Sequence, residues 1–448
     1  MKKFIESISN VWKIEELKNR ILLTLGLLLI YRFGAHVTLP GIDATQLSGL
    51  AGQTKQGIGS VLDMFTGGAF SKASVFALGI MPYISASIVV QLMGIAIPYL
   101  QKLQSDGESG RKKINQITRW LTIGITLLQG PTYIYNLYRT LPSNAFLLGF
   151  NSFEFLFSSV VILTTGTIFA MWLGEKITDK GIGNGISLLI MVGILARLPQ
   201  AFIQEFTTRV TNNNGGPMLL VIEIIVWLLV IISCVLLVMA VRKIPVQYAR
   251  RTSTGDYEQD VMGGNRQWIP LKLNAAGVMP IIFAQAIMFI PAAVAGLSKS
   301  DASQSIVGAF SNMFGFWYNF VFATLIVVFT FFYTAITVPT NKMSDDLKRS
   351  GGFIPGVKPG VETSDFLDKV MSLITFPGSL FLALIAVFPA IVVSIMDVQQ
   401  SWAMFFGGTS LIIMVGVAID TIQQINSYLL NQHYDGLMKT GKNRKAVA

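Results

Sequence analysis

The chain has 448 residues, of which 52% are hydrophobic and 13% charged, and a formal net charge of +10. Soluble domains carry about twice that share of charge. The composition therefore excludes a soluble enzyme or binding module and points to a polytopic membrane protein.

A helix needs about 20 residues to cross a bilayer, and ten segments are read as spans. The first, 21–40, carries Arg32 and His36 and runs into Pro40-Gly41 without the small-residue cleavage signature of a secretory leader, so no removal is expected. Residues 57–74 (GIGSVLDMFTGGAFSKAS) are too short to span. A helix over 61–70 would rise only about 15 Å. It is either a re-entrant element or an external loop on the interface, because re-entrant backbone is tolerated only where protein or water surrounds it. These residues alone leave both placements open.

The second span, 73–101, contains Gly79-Ile80-Met81-Pro82-Tyr83-Ile84; the third and fourth are 120–138 and 155–174. Gly181-Ile182-Gly183-Asn184-Gly185 looks like a phosphate loop, yet it follows a membrane span and has no Walker lysine. It reads as a cytoplasmic turn before the fifth span, 181–202, which Arg197 interrupts. The sixth, 218–241, holds Glu223 and the only cysteine, Cys234, so no disulfide forms within the chain. The seventh, 273–298, contains Gly277-Val278-Met279-Pro280-Ile281-Ile282, and 302–341, 370–396 and 398–419 complete the ten.

Basic residues set the orientation. With the N-terminus cytoplasmic, the inside segments hold 27 of the 34 Lys and Arg, so both ends lie in the cytoplasm. A division near residue 210 leaves five spans per half, 1–210 and 211–448. An odd number makes the second half run the opposite way, so the repeat is inverted. Gly and Pro are common in membrane helices, so the weight of the two Gly-x-Met-Pro copies comes from their equivalent places, in spans two and seven. They are expected to interrupt both spans at one depth and to face each other across a pseudo-twofold axis.

Two cytoplasmic loops are too long for mere connectors. Residues 242–272 hold Arg242, Lys243, Arg250, Arg251 and Arg266 with Tyr248, Tyr257 and Trp268 between them; residues 341–369 hold Lys348, Arg349 and Pro355-Gly356-Val357-Lys358-Pro359-Gly360. Topology or anionic lipid accounts for the sign of the charge. The length, aromatic content and Pro-Gly turns point further, to a docking surface for an acidic or nucleic-acid-rich partner. Catalytic groups are scarce: His36 and His433 are the only histidines, no Gly-x-Ser-x-Gly elbow is present, and Glu223 and Asp420 do not pair by spacing. No catalytic residue, metal or cofactor is expected.

Several stretches, in order, carry a resemblance that covers essentially the whole chain. They are Gly67-Gly68-Ala69 and 77–88 (ALGIMPYISASI), Gly107-Glu108-Ser109-Gly110-Arg111, Met171-Trp172-Leu173-Gly174-Glu175 with 181–187, 274–280 (NAAGVMP), Phe331-Phe332-Tyr333-Thr334-Ala335 and Phe406-Gly407-Gly408-Thr409-Ser410. Together they resemble the SecY family, the central subunits of bacterial protein-conducting channels.

The resemblance implies an all-α polytopic membrane protein, an hourglass of ten helices in two inverted five-helix halves around a narrow pore that also opens sideways to lipid. Ile80, Ile84, Ile190, Ile282 and Ile413 match the family's pore-ring positions, and Ala286 stands at the sixth. Aliphatic side chains there exclude water and ions. The resemblance also assigns the short helix, about 61–74 with Val61, Leu62, Met64, Phe65, Gly67, Gly68, Ala69 and Phe70, to the plug of the outer funnel. Ser85, Gln91, Asn184 and Ile290 match lateral-gate positions, where signal sequences bind between spans two and three and spans seven and eight. Arg242, Lys243, Arg250, Arg251, Arg349 and Lys358 lie in loops on which the ribosome and the SecA motor dock in relatives; Lys358 replaces the family's Arg and lacks its planar fork.

The implied partners are the small membrane subunits SecE and SecG, SecA, the ribosome, signal sequences and nascent chains, membrane lipid and accessory membrane proteins. The implied place is the cell inner membrane. The function is export of unfolded polypeptide with sideways release of hydrophobic segments, and no bond chemistry. A secondary transporter also uses inverted repeats and broken helices; it requires a polar midplane site where this chain has aliphatic residues.

Overall fold

The computed structural model describes residues 12, 14–47, 58–142, 145–146, 152–211, 216–248, 266–295 and 312–445. Their helices are α1 (Glu15–Gly34), α2 (Ile58–Phe65), α3 (Met81–Ala96), α4 (Pro98–Ser105), α5 (Gly107–Thr140), α6 (Ser152–Lys180), α7 (Gly185–Val210), α8 (Gly216–Met239), α9 (Met279–Ala295), α10 (Phe316–Thr337), α11 (Thr340–Arg349), α12 (Val361–Met396), α13 (Gln400–Ala403) and α14 (Gly408–Lys445). Helix is found within each of the ten expected spans, although residues 73–80 precede α3 and 302–311 lie outside the described residues.

Among the described residues, six segments are long and apolar enough on their own to cross a bilayer: Phe153–Lys180, Gly185–Val210, Gly216–Met239, Phe316–Arg349, Val361–Met396 and Gln400–Leu430. The pair α3 and α4 gives a seventh candidate, bent by 103°. The bend falls at Ile97, whose extended φ of −105° and ψ of 115° is what a residue before proline adopts.

The repeated hexapeptide does not interrupt a span, as expected from its Gly and Pro; in both copies it starts a helix. Gly79 (φ 55°) and Gly277 (φ 64°) take left-handed backbone, and α3 and α9 begin two residues later at Met81 and Met279. Proline follows at the second helical position, where its missing N–H costs nothing.

The membrane part is all-α, but the two long cytoplasmic loops contain a sheet that the sequence reading missed. Strands β1 (Val241–Tyr248) and β2 (Arg266–Lys272) pair antiparallel from Val241↔Lys272 to Gln247↔Arg266, and β3 (Gly352–Phe353) joins the other side of β1. Ile244 and Val246 alternate inward onto Leu271, Leu347, Ile354, Leu367 and Met371, the period-2 pattern of a half-buried strand. Pro245 is tolerated because β3 pairs only with Gln247 and Tyr248, which leaves β1 an edge strand at the proline.

The chain divides into two compact units. The first comprises Met1–Gly216, Gln399–Trp402 and Val417–Ala448; the second comprises Pro217–Val398 and Ala403–Gly416. In the first, Phe70, Tyr133, Ile134, Leu137, Phe155 and Leu163 form a core between α5, α6 and the turn after α2. Residues Gln399–Trp402 join it because the Gln399 N–H donates to Glu205 Oε2 at 3.1 Å and the rings of Phe202 and Trp402 meet at 5.4 Å. In the second, Cys234, Ile281, Ala284, Phe322, Ile326, Leu382, Leu411 and Ile412 pack α8, α9, α10, α12 and the start of α14 together.

Candidate functional site

The first unit holds a polar constellation around the short helix. The expected helix over 61–74 is α2, which starts earlier and ends at Phe65, because Gly67 (φ 64°) and Gly68 (φ 91°) turn the chain. Leu62 is half-buried, and Met64, Phe65, Gly67, Gly68, Ala69 and Phe70 are buried; the side chain of Val61 lies outside the described residues. The segment is seated closely on α7. A Cβ on Gly193 would lie 2.6 Å from the Phe65 carbonyl oxygen, and one on Gly67 would lie 2.8 Å from the Gly193 Cα.

Two arginines from membrane helices reach this seat. Arg32 of α1 donates from Nη1 to the Gly67 carbonyl at 2.6 Å. Arg197 of α7 forms an ion pair through Nη2 with Asp63 Oδ2 and donates from the same nitrogen to Ser71 Oγ at 2.9 Å. The other Asp63 oxygen accepts the Ser71 N–H at 2.8 Å. Tyr133 of α5 donates its hydroxyl to the Phe70 carbonyl at 2.8 Å, and Leu39 donates its N–H to the Ala73 carbonyl at 2.8 Å. Burial, with Arg32 close by, lowers the Lys72 ammonium below its ordinary range. Sequence reasoning missed these partners. The available signal was Arg32 and Arg197 themselves, since charge inside a span has to be paired.

The glycine-rich turn before α7 is not a free anion cradle. The Ile182 N–H donates to Thr24 Oγ1 at 3.1 Å, the Gly183 N–H to Gln424 Oε1 at 2.8 Å, and the Gly185 N–H to Thr178 Oγ1 at 2.9 Å. A phosphate would have to displace those side chains. The turn is a clasp that ties α1, α6 and α14 to the start of α7.

Of the ring positions, Ile80, Ile190 and Ile413 are buried, at 4%, 6% and 2% exposure, and Ile84, Ile282 and Ala286 are half-buried. By contrast, Leu29 and Phe33 on α1 and Leu229 and Leu236 on α8 are more than half exposed. Ile80 precedes α3 and Ile84 lies one turn into it; Ile190 is on α7, Ile282 and Ala286 on α9, and Ile413 on α14. Among the gate positions, Ser85 and Gln91 lie half-buried on α3, where Gln91 Nε2 donates to Ser87 Oγ at 3.2 Å. Asn184 caps α7, its side-chain oxygen accepting the Ser187 N–H at 3.3 Å. Ile290 is on α9, but its side chain lies outside the described residues.

The docking positions gather in one place more than the sequence implied. Because β3 pairs with β1, the loops 242–272 and 341–369 form a single platform in the second unit. Arg242 and Lys243 are exposed on β1, Arg349 is exposed at the end of α11, and Lys358 is exposed beside Glu362 at 3.5 Å. Gly352 lets β3 close on β1, since a Cβ there would lie 2.9 Å from the Tyr248 ring. Ser344 Oγ donates to the Gly360 carbonyl at 2.6 Å and Thr340 Oγ1 to Asp368 at 2.7 Å, which fixes the turn that carries Lys358. Arg250 and Arg251 lie outside the described residues.

Residues 74–422 match the sequence profile of the SecY family. The chain is 38% identical to "Protein translocase subunit SecY" of Streptomyces scabiei, over 97% of this chain and 100% of that protein. It is 40% identical to the protein of the same name from Haemophilus influenzae, over 95% of this chain and 94% of that one. The fold is similar to a solved structure described as "The structure of a protein conducting channel", with a TM-score of 0.58 and 15% identity over 91% of each chain. It is also similar to "Sec61 in the Canine ribosome-channel complex from the endoplasmic reticulum", with a TM-score of 0.53 and 14% identity over 91% of each chain.

Proposed function

Because the chain belongs to the SecY family, it is a multi-pass membrane protein that acts as a protein translocation channel, and we propose that its passage is lined by Ile80, Ile84, Ile190, Ile282, Ala286 and Ile413. The observation that carries this reading is burial. Ile80, Ile190 and Ile413 are buried and Ile84 and Ile282 half-buried, although the helices around them expose many apolar side chains. An aliphatic constriction resists hydration, so an ion entering it loses its water without gaining a partner. An extended polypeptide carries its own apolar atoms and can part such side chains.

In the same reading the halves 1–210 and 211–448 are an inverted repeat, and α2 with its glycine turn closes the outer side. Ser85, Gln91, Asn184 and Ile290 line the lateral gate, where a signal sequence binds and hydrophobic segments leave for lipid. The chain catalyses no bond chemistry and takes its energy from a partner, the SecA motor or the ribosome, on the platform of β1–β3. SecE and SecG are its small subunits, and the inner membrane is its location. The test is export of a signal-bearing precursor into vesicles that hold the purified protein with its copurifying subunits, driven by the motor and ATP. Signal-dependent export supports the reading; solute uptake by the protein alone in its place would overturn it.

The platform makes a separate prediction. Arg349→Glu and Lys358→Glu reverse exposed charges that the fold does not bury, so membrane abundance stays within about twofold of the parent, while partner-driven export falls about tenfold, the loss of roughly 1.4 kcal/mol of binding. Immunoblotting of membranes alongside an export assay checks both, and equal loss of abundance and export would assign these residues a structural role instead.

A further inference from the structure

Among residues 58–80, Asp63 is the only acid. It sits in the last turn of an eight-residue helix, 6% exposed, with one carboxylate oxygen on Arg197 and the other on the Ser71 N–H. Arg197 holds both ends of the turn at once, through Asp63 before the two glycines and Ser71 after them. Arg32 meets the Gly67 carbonyl just beyond the C-terminus of α2, the end of a helix that favours a cation. Both arginines belong to membrane-length helices, whereas the carboxylate belongs to the short one.

The geometry points to Arg197 and Asp63 as an ionic latch, with Arg32 as a second clasp, that positions α2 in its seat and sets the threshold for its release. An eight-residue helix is about 12 Å long, and Asp63, Met64 and Phe65 are its buried side chains among the described residues, so the pair is a direct part of the attachment. Release separates Asp63 from Arg197 and leaves a guanidinium in a largely desolvated place, which is costly unless something else pairs with it. A latch built from opposite charges is specific in a way that packing is not: either single neutralisation opens it, and exchange of the two charges closes it again. The inference rests on the reading of α2 as the outer seal, and its test separates the two.

The test uses the full-length chain with its copurifying subunits in vesicles, with Cys234→Ser and Met64→Cys as background; Met64 is 8% exposed in the seat. The rate at which a water-soluble maleimide labels the new thiol reports release of α2, and ion leak reports the seal. Asp63→Asn and Arg197→Gln each raise labelling about tenfold, and the exchange Asp63→Arg with Arg197→Asp returns it to within about twofold of the background. Arg197→Lys, which keeps the charge without the fork, gives a rate between background and Arg197→Gln, and decides the matter if Asp63→Asn does not accumulate. Labelling unchanged in the single variants, or an exchange variant as fast as they are, would overturn the latch. Faster labelling with no rise in ion leak would keep the latch and overturn the sealing role of α2.

Discussion

Ile413→Asn and Ile84→Asn each raise ion leak through the protein about tenfold and admit precursors with defective signals. A buried isoleucine contributes about 1.5–3 kcal/mol through removal of its surface from water. An asparagine at the same place gives the constriction a hydrogen-bonding foothold for water, and about 1.4 kcal/mol of that difference is a factor of ten in the population of hydrated states. Ile413 is 2% exposed and Ile84 half-buried, so Ile413→Asn also loses packing and shows the larger effect. Conductance of a planar bilayer and export of a signal-defective precursor check the two halves of the prediction. Unchanged leak together with unchanged signal stringency would remove both residues from the passage.

Glu205→Leu lowers stability by about 3–5 kcal/mol, the cost of removing one partner from a buried ion pair. Glu205 is 0% and Arg209 3% exposed, and the carboxylate joins Arg209 Nε at 2.8 Å while its other oxygen accepts the Gln399 N–H at 3.1 Å. The change therefore removes the carboxylate that Arg209 pairs with and one of the contacts that hold Gln399–Trp402 against α7. Glu205→Leu with Arg209→Met recovers about half of the loss, because two apolar side chains of similar volume need no pairing. Thermal unfolding of the purified protein in detergent measures both variants. A single variant within 1 kcal/mol of the parent, well below the cost cited above, would mean that water reaches this pair.

The membrane architecture was legible because the bilayer imposes it locally. Apolar runs of span length, basic residues on one side and two copies of Gly-x-Met-Pro are each visible within a window of the chain. What the windows hid were partnerships at long range. The length and basic-aromatic content of the loop 242–272 mark it as more than a connector, but its alternating Ile244, Val246 and Tyr248 acquire meaning as a strand only once β3, some hundred residues later, pairs with β1. Arg32 and Arg197 read as blemishes in two spans, yet they hold the residues on either side of Gly67 and Gly68. The end of α2 was misplaced for a smaller reason: apolar character continues to Phe70, but the backbone of the two glycines does not. The ring positions came from family resemblance, since a buried isoleucine in an apolar bundle has no signature of its own.

The account depends on a polypeptide passing the aliphatic side chains. Photo-crosslinking from Ile80, Ile84, Ile190, Ile282 and Ile413, replaced one at a time by a photoreactive residue, to a precursor stalled during export tests this most directly. The account predicts adducts from all five positions and none from Leu29 or Phe33, which are 70% and 73% exposed on the outer face of α1. Adducts from Leu29 and Phe33 with none from the isoleucines would contradict it.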